Sequence, residues 1–160
     1  MVGSMRFVVN GRAVEVATEP DALLVHVLRN DLGLVGTRCG CCDGRCGSCT
    51  IIIDGAPHRA CMMPMSAIAG RRVETVEGLA HDDQWHPLQQ ALIEAGIGQC
   101  GFCLSGIMMR AKALLEKNPR ASRRQIAAFL DGNLCRCGAH PRVLNALVAA
   151  GRAMAEARGA

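Results

Sequence analysis

The sequence predicts an α+β protein in which a strand-rich N-terminal half is followed by a compact bundle of four helices. Over about the first 76 residues, apolar and polar residues alternate around two hairpin turns, which is typical of short strands. From residue 87 onward the apolar residues recur at helical spacing. Each half also carries its own cysteines, out of ten in 160 residues. This change of period predicts a domain boundary.

The N-terminal half opens with a predicted β-hairpin, because residues 5–9 and 12–17 alternate on either side of the turn at Asn10-Gly11. Thr18 is predicted to cap a short amphipathic helix over residues 21–30. A loop rich in Gly and Cys follows. The remaining strands are predicted at residues 50–53, near 58–60 with Cys61 at the end, and at 71–76, with a hairpin turn at Asp54-Gly55.

The C-terminal half shows four segments with helical spacing, separated by Gly, Asn-Pro and a Gly-rich loop. Four such helices are predicted to pack as a bundle. The predicted helices cover residues 87–95, 103–117, 122–131 and 141–157. A polar linker over residues 78–86, which includes His81, Asp82, Asp83 and Gln84, joins the two halves.

Composition excludes several classes of protein. Charged residues make up 20% of the chain, too few for a disordered segment, and no apolar run approaches the roughly 20 residues of a membrane span. The net charge of +4 is scattered, and three Phe, one Trp and no Tyr argue against a nucleic-acid partner. The first residues lack a signal peptide's apolar run, which predicts a cytoplasmic address, or a periplasmic one if a partner carries the export signal.

The first cysteine set has the spacing of a plant-type [2Fe–2S] loop. Cys41, Cys46, Cys49 and Cys61 form a C-x4-C-x2-C-x11-C pattern. Four thiolates must converge on two irons, so three come from one loop and the fourth from a neighbouring strand. Glycines within the loop, at positions 40, 44 and 47, permit positive φ and let backbone N–H groups approach the cluster.

A second set consists of one C-x2-C pair and one C-x-C pair in the helical half. Cys100 and Cys103 precede Cys135 and Cys137, and each pair is predicted at a junction of loop and helix. The two pairs can therefore face each other and bind a second cluster.

Other cysteine chemistries fit the spacing less well. A zinc ribbon needs two C-x2-C pairs close in sequence, but here they lie about fifty residues apart. A thioredoxin-like redox pair would leave eight cysteines unexplained. A [4Fe–4S] motif is absent, and the His residues are not placed for a Rieske centre. A zinc-stabilised interaction module and a free-standing [2Fe–2S] carrier or redox sensor remain alternatives.

Several motifs resemble the small iron–sulfur subunit of the molybdenum hydroxylases, the xanthine oxidase, aldehyde oxidoreductase and isoquinoline oxidoreductase family. The resemblance extends over nearly the whole chain, with both ligand spacings intact. It rests on Gly36-Thr37-Arg38, Cys46-Gly47-Ser48-Cys49-Thr50, Gln99-Cys100-Gly101-Phe102-Cys103 and Gly132-Asn133-Leu134-Cys135-Arg136-Cys137-Gly138.

The resemblance implies a fold, cofactors and partners. It implies a β-grasp ferredoxin domain over residues 1–77 and a helical domain over 87–160, with one [2Fe–2S] cluster in each. The implied partner is a large subunit with a molybdopterin cofactor, often the cytosine dinucleotide, which hydroxylates an aldehyde or N-heterocycle. Electrons would pass from there through the helical-domain cluster, then the ferredoxin-domain cluster, to an external acceptor. The chain itself is then not catalytic, and Gln99 and Cys137 are the implied contacts to the pterin.

Two departures from the family pattern stand out. Cys42 replaces a usual glycine, and Cys39 is also extra; we expect both to be non-ligating thiols. The segment Gly138-Ala139-His140-Pro141-Arg142 is similar to the isoquinoline and nicotinate branch. That branch implies a cytochrome c as electron acceptor in preference to an FAD subunit.

Overall fold

A computed structural model describes residues 2–82 and 84–159; Asp83 of the predicted linker lies outside the described residues. Its N-terminal half contains a five-stranded mixed sheet with strand order β2-β1-β5-β3-β4. Only the β1–β5 pair is parallel among the pairings of this sheet. The strands are β1 (Gly3–Val9), β2 (Arg12–Thr18), β3 (Thr50–Ile53), β4 (Ala56–Arg59) and β5 (Arg72–Glu74).

Both predicted hairpin turns are present. Asn10 and Gly11 have φ of 49° and 78°, and Asp54 and Gly55 have φ of 49° and 79°. Two consecutive residues with positive φ match the right-handed twist of the strands they join. The turn residues therefore determine the register of β1 with β2 and of β3 with β4.

The first helix is shorter than predicted. Helix α1 covers Leu24–His26 and continues as a single π-helical segment, Val27–Asp31. Thr18 does not cap it, because Thr18 is the last residue of β2. Leu23 instead forms a bridge with Pro64, and the Leu24 N–H donates to the Met63 carbonyl at 2.8 Å. This contact with a distant segment keeps the residues before Leu24 extended.

The last two strands end earlier than predicted. Strand β4 ends at Arg59, so Cys61 lies in a 3-10 turn (Ala60–Met62) and not at the end of a strand. Strand β5 ends at Glu74, and Val76–Gly78 forms another 3-10 turn.

The four helices predicted for the second half are present, with slightly different ends. His86 and Ser122 each cap a helix in a reciprocal arrangement with Gln89 and Gln125, respectively. No helix within the described part of the chain is long and apolar enough to cross a membrane. The helices are α2 (Pro87–Glu94), α3 (Leu104–Leu115), α4 (Arg123–Phe129) and α5 (His140–Gly159).

Each half has its own apolar core, and α3 joins the two. Leu88, Ile107, Ile126 and Leu147 are among the fully buried residues between the helices. A small third cluster lies between β3 and α3, and it consists of Ile52, Leu79, Met109 and Ala113. The helical half therefore packs directly on the sheet and is held by more than the linker.

Candidate metal centres

The first thiol set has an outer pair close to the surface. Cys41 is exposed and Cys46 is half-buried, both in the loop between α1 and β3. The Cys46 N–H donates to the Cys41 sulfur at 3.2 Å, and the Cys41 N–H donates to the Cys46 sulfur at 3.4 Å. The loop therefore turns back on itself and brings these two sulfurs together.

The inner pair of this set is buried. Cys49 and Cys61 are each 2% exposed and lie on either side of the β3–β4 hairpin. Burial, with the neighbouring Cys61 thiol adding to it, raises the pKa of Cys49 to about 12. A thiol of this kind loses its proton only when a cation takes the proton's place, as in metal binding.

Cys46 differs from Cys49 in its acidity. Burial opposes ionisation of Cys46, but hydrogen bonds from the backbone N–H groups of Ser48 and Cys41 outweigh burial and lower its pKa to about 7. The same N–H groups would stabilise the negative charge of a bound iron–sulfur cluster.

Glycines let this loop approach its sulfurs closely. A Cβ on Gly40 would lie 2.9 Å from the Cys46 sulfur, which is too close for any side chain. Gly44 and Gly47 have φ of 81° and 77°. Cys42 has φ of 57° although it is not glycine, at a cost of about 1 kcal/mol for its Cβ.

The two extra cysteines correct one expectation. Cys39 and Cys42 are joined by a disulfide, with their Cα atoms 5.5 Å apart. The expectation of two thiols at these positions is therefore wrong. Position 42 adopts a left-handed conformation that turns the loop back towards Cys39, and a spacing of three residues brings the two side chains within reach.

The second thiol set has the same organisation in the helical half. Cys100 and Cys137 are exposed and their sulfurs lie 3.6 Å apart. Cys103 is buried just before α3, beside the half-buried Cys135. The Ala139 N–H donates to the Cys135 sulfur at 3.5 Å, at the start of α5. This set too consists of one outer and one inner pair.

In the second set the pKa values divide within each pair, and not between the inner and the outer pair. Burial and the neighbouring Cys135 thiol raise the pKa of Cys103 to about 12. The Phe102 N–H and the Cys137 thiol lower the pKa of Cys100, whereas hydrogen bonding to Cys100 raises the pKa of Cys137. One thiol of the outer pair is thus favoured as the thiolate and the other as its hydrogen-bond donor.

Gln99, an implied pterin contact, lies at the surface immediately before Cys100. Phe102, three residues further on, is 39% exposed and packs against the first thiol loop. The Arg38 guanidinium lies 5.6 Å from the centre of the Phe102 ring, within cation–π range. Gln99, Cys100 and Cys137 are all exposed, and we call the surface that they form the open side of the second set.

The arrangement in pairs suits a two-iron cluster. Each iron of a [2Fe–2S] centre takes two cysteine ligands, so the four sulfurs need not meet at one point. In the described ranges 2–82 and 84–159, no group of three or more Cys, His, Asp or Glu side chains converges as a site for a single ion. Two pairs per set, with backbone N–H groups directed at the sulfurs, fit the cluster chemistry.

Sequence reasoning did not single out two side chains that connect the thiol sets. Asn133 is 2% exposed and donates to the Gly47 carbonyl, which lies between Cys46 and Cys49. Arg59, two residues before Cys61, donates to the Gly132 carbonyl. In the sequence, Asn133 stands within the motif at residues 132–138, but nothing there indicates that its side chain contacts the first loop.

Comparison with known proteins agrees with this geometry. A family model described as 2Fe-2S iron-sulfur cluster binding domain matches residues 8–92, and one described as [2Fe-2S] binding domain matches residues 75–148. One subunit of the nicotinate dehydrogenase of Pseudomonas putida is 49% identical over 139 residues, which cover 87% of this chain and 88% of that protein. This chain belongs to the iron–sulfur subunits of the molybdenum hydroxylases.

Other relatives of this iron–sulfur subunit extend the comparison. The alpha subunit of isoquinoline 1-oxidoreductase from Brevundimonas diminuta is 48% identical over 141 residues, 87% of this chain and 91% of that protein. The structure of quinoline 2-oxidoreductase from Pseudomonas putida 86 superposes with a TM-score of 0.92 at 36% identity and covers 97% of both chains.

Some relatives carry the same unit inside a longer chain. The aldehyde oxidoreductase from Desulfovibrio desulfuricans matches with a TM-score of 0.92 and 38% identity over 96% of this subunit, but over only 17% of its own chain. The iron–sulfur subunit therefore transfers electrons as one part of a larger molybdopterin-containing oxidoreductase, and a large subunit is its partner.

Proposed function

We propose that the two thiol sets are the ligands of two [2Fe–2S] clusters. Cys41, Cys46, Cys49 and Cys61 would hold the first, and Cys100, Cys103, Cys135 and Cys137 the second. The observation that carries this proposal is the grouping of all eight free thiols into two sets, each with an inner and an outer pair, and with Cys49, Cys61 and Cys103 buried. When bound, such clusters accept and release one electron at a time.

The fold assignment belongs to the same proposal. Residues 1–77 are a β-grasp domain of the plant-type ferredoxin class, residues 78–86 a linker, and residues 87–160 a four-helix-bundle domain. Support comes from the mixed sheet, the four packed helices and the two matched families. Each domain would then bind one cluster, at its own loop, and the protein would be a path for electrons with no catalytic residue of its own.

The open side of the second set is the proposed docking site for the large subunit. Gln99, Cys100 and Cys137 are exposed there. The Gln99 amide can donate and accept hydrogen bonds, which suits the polar edge of a pterin. We assign Gln99 and Cys137 as the pterin contacts, with molybdopterin cytosine dinucleotide as the cofactor of the partner.

The substrate class follows from the names of the relatives, whereas the proposed acceptor rests on the similarity of residues 138–142 to the isoquinoline and nicotinate branch. Their names refer to nicotinate, isoquinoline, quinoline and aldehydes. The complex of this subunit would therefore hydroxylate an N-heterocycle or an aldehyde and pass the electrons to an external acceptor. A cytochrome c is the proposed acceptor, and the other candidate is an FAD subunit.

The ligand sets can be tested by metal analysis and EPR spectroscopy of the subunit co-purified with its large partner. About four irons and four acid-labile sulfides per chain are expected, with two distinct signals after reduction. Cys41→Ala and Cys103→Ala should each remove one signal. Cys39→Ala is the control and should leave both.

Three results would contradict the proposal. Stoichiometric zinc without iron would exclude the clusters. Retention of both signals in Cys41→Ala or in Cys103→Ala would show that the ligand set is wrong. Purification from the native host always as a monomer, without a molybdenum-containing partner, would favour a free-standing electron carrier.

A further inference from the structure

A backbone hydrogen bond links the loops that carry the two thiol sets. The Leu134 N–H donates to the Cys46 carbonyl at 2.9 Å. Leu134 is bonded directly to Cys135, so this hydrogen bond links the backbone of one ligand set to that of the other. This hydrogen bond stays formed only while other contacts hold the two loops together.

A buried side chain holds the loops at this point. Asn133 is 2% exposed, and its amide Nδ2 donates to the Gly47 carbonyl at 3.1 Å and lies 3.4 Å from the Thr50 hydroxyl. Its own N–H donates to the Leu130 carbonyl at 2.9 Å. A buried amide is costly unless it is paired, and here its partners belong to the other domain. Asn133 therefore anchors one loop to the other.

Arg59 supports the same junction from the sheet. Its Nη2 donates to the Gly132 carbonyl at 3.1 Å, across 73 positions of sequence. Arg59 is the last residue of β4 and is two residues from Cys61. Its Nη1 and the Asn133 Oδ1 are buried without a hydrogen-bond partner among the described residues. Both polar side chains are therefore held at the junction of the two loops, although neither forms a hydrogen bond with a thiol.

Gly47 makes this junction possible. A Cβ at this position would lie 2.6 Å from the Asn133 Nδ2 and closer still to the Arg59 Nη1. The φ of 77° also disfavours any other residue. Both side chains therefore pack on a stretch of bare backbone between Cys46 and Cys49.

We propose that Asn133 and Arg59 are positioning residues that clamp the two cluster loops together and so set the rate of electron transfer between the clusters. This inference rests on the proposed ligand sets. The clamp keeps the Leu134–Cys46 hydrogen bond formed and the distance between the two sets constant. Asn133 and Arg59 themselves neither bind a cluster nor transfer an electron.

The test compares Asn133→Ala with wild type in the complete complex, which includes the large subunit. Iron content and both EPR signals are expected to remain. The splitting of these signals by magnetic coupling between the two reduced clusters should decrease, and reduction of the first cluster through the second should become several-fold slower. Hydrogen–deuterium exchange at the Leu134 amide should become faster, because its hydrogen bond opens more often.

Two further variants complete the design. Arg59→Met removes one hydrogen bond but keeps much of the length of the side chain, and it should change the same three quantities to a smaller extent. If the Asn133→Ala subunit does not assemble with the large subunit, Arg59→Met alone tests the clamp. Asn118→Ala, at an exposed position after α3, is the matched control and should behave as wild type.

The outcomes are distinguishable from failure of the ligand assignment. Unchanged magnetic coupling, transfer rate and Leu134 exchange in both Asn133→Ala and Arg59→Met would overturn the clamp. If Cys41→Ala and Cys103→Ala left both EPR signals intact, the ligand sets would be wrong. Leu134 exchange would still report on the clamp in that case, because it measures the hydrogen bond and not the clusters.

Discussion

Replacing Gly106 by alanine should destabilise the contact between the helical half and the first thiol loop. Gly106 is buried in α3, where the helix meets the backbone of Gly47 and Ser48. A Cβ at position 106 would lie 2.9 Å from the Ser48 Cα and closer still to the Gly47 carbonyl oxygen. Backbone atoms cannot rotate away from the new methyl group as the end of a flexible side chain can.

The size of the effect follows from two opposing contributions. An ordinary contact begins at 3.4 Å, so the helix or the loop must shift by at least 0.5 Å relative to the Ser48 Cα. Forcing extra volume into a packed site costs about 1–3 kcal/mol, and a clash with backbone atoms belongs to the upper part of that range, about 2–3 kcal/mol. Alanine returns about 1 kcal/mol through its higher helix propensity. We expect a net loss of about 1–2 kcal/mol, or a Tm lower by roughly 2–8 °C.

The assay is thermal unfolding of the co-purified complex, with EPR of the first cluster as a local measurement. Gly159→Ala is the control, because α5 has open space at this position with nothing within 4 Å of a Cβ. Its Tm should be unchanged or slightly higher. A Gly106→Ala variant with wild-type or higher Tm and an unaltered first-cluster signal would refute the close-approach argument.

Two further predictions concern charged and titrating groups between elements. His86 accepts the Leu88 N–H at 3.1 Å through its Nδ1, and burial together with Lys112 lowers its pKa. The neutral cap therefore contributes its full stability above about pH 6.5, and this stability is lost as the pH falls through the lowered pKa. The Tm of His86→Asn, which caps the helix without titrating, should decline less from pH 7.5 to 5 than the Tm of the wild type. An identical decline in both proteins would contradict this role of His86. Lys112, 12% exposed, pairs with Glu74 at 2.6 Å and Glu116 at 2.7 Å. Lys112→Met should lower the free energy of unfolding, measured with denaturant, by about 1–2 kcal/mol. Lys112→Arg should keep most of this stability, because its guanidinium can still pair with the two carboxylates. Equal losses in both variants would exclude the ion pairs as the cause.

Local patterns accounted for much of the secondary structure. The hairpin turns at Asn10-Gly11 and Asp54-Gly55 and the four C-terminal helices depend on residues close in sequence, so they were predictable. The start of α1 was not, because Leu23 pairs with Pro64, more than forty residues away. Contacts between residues so far apart in sequence override local propensity, and the residues around Leu23 give no indication of them.

The same distinction applies to the candidate site. The spacing C-x4-C-x2-C predicts a cluster loop, because a short loop limits which sulfurs can converge. The pairing of Cys100 with Cys137, the disulfide between Cys39 and Cys42, and the burial of Cys49, Cys61 and Cys103 required the folded chain.

The sequence alone therefore determined the short cysteine spacings and the order of the elements that carry them, since each depends on residues close together in the chain. The tertiary structure decided how the sets meet. Asn133 reaches Gly47 across 86 positions, and α3 packs on β3 through Ile52 and Met109. The physical reason is that packing between the two halves depends on the shapes of two assembled surfaces, which no local pattern encodes.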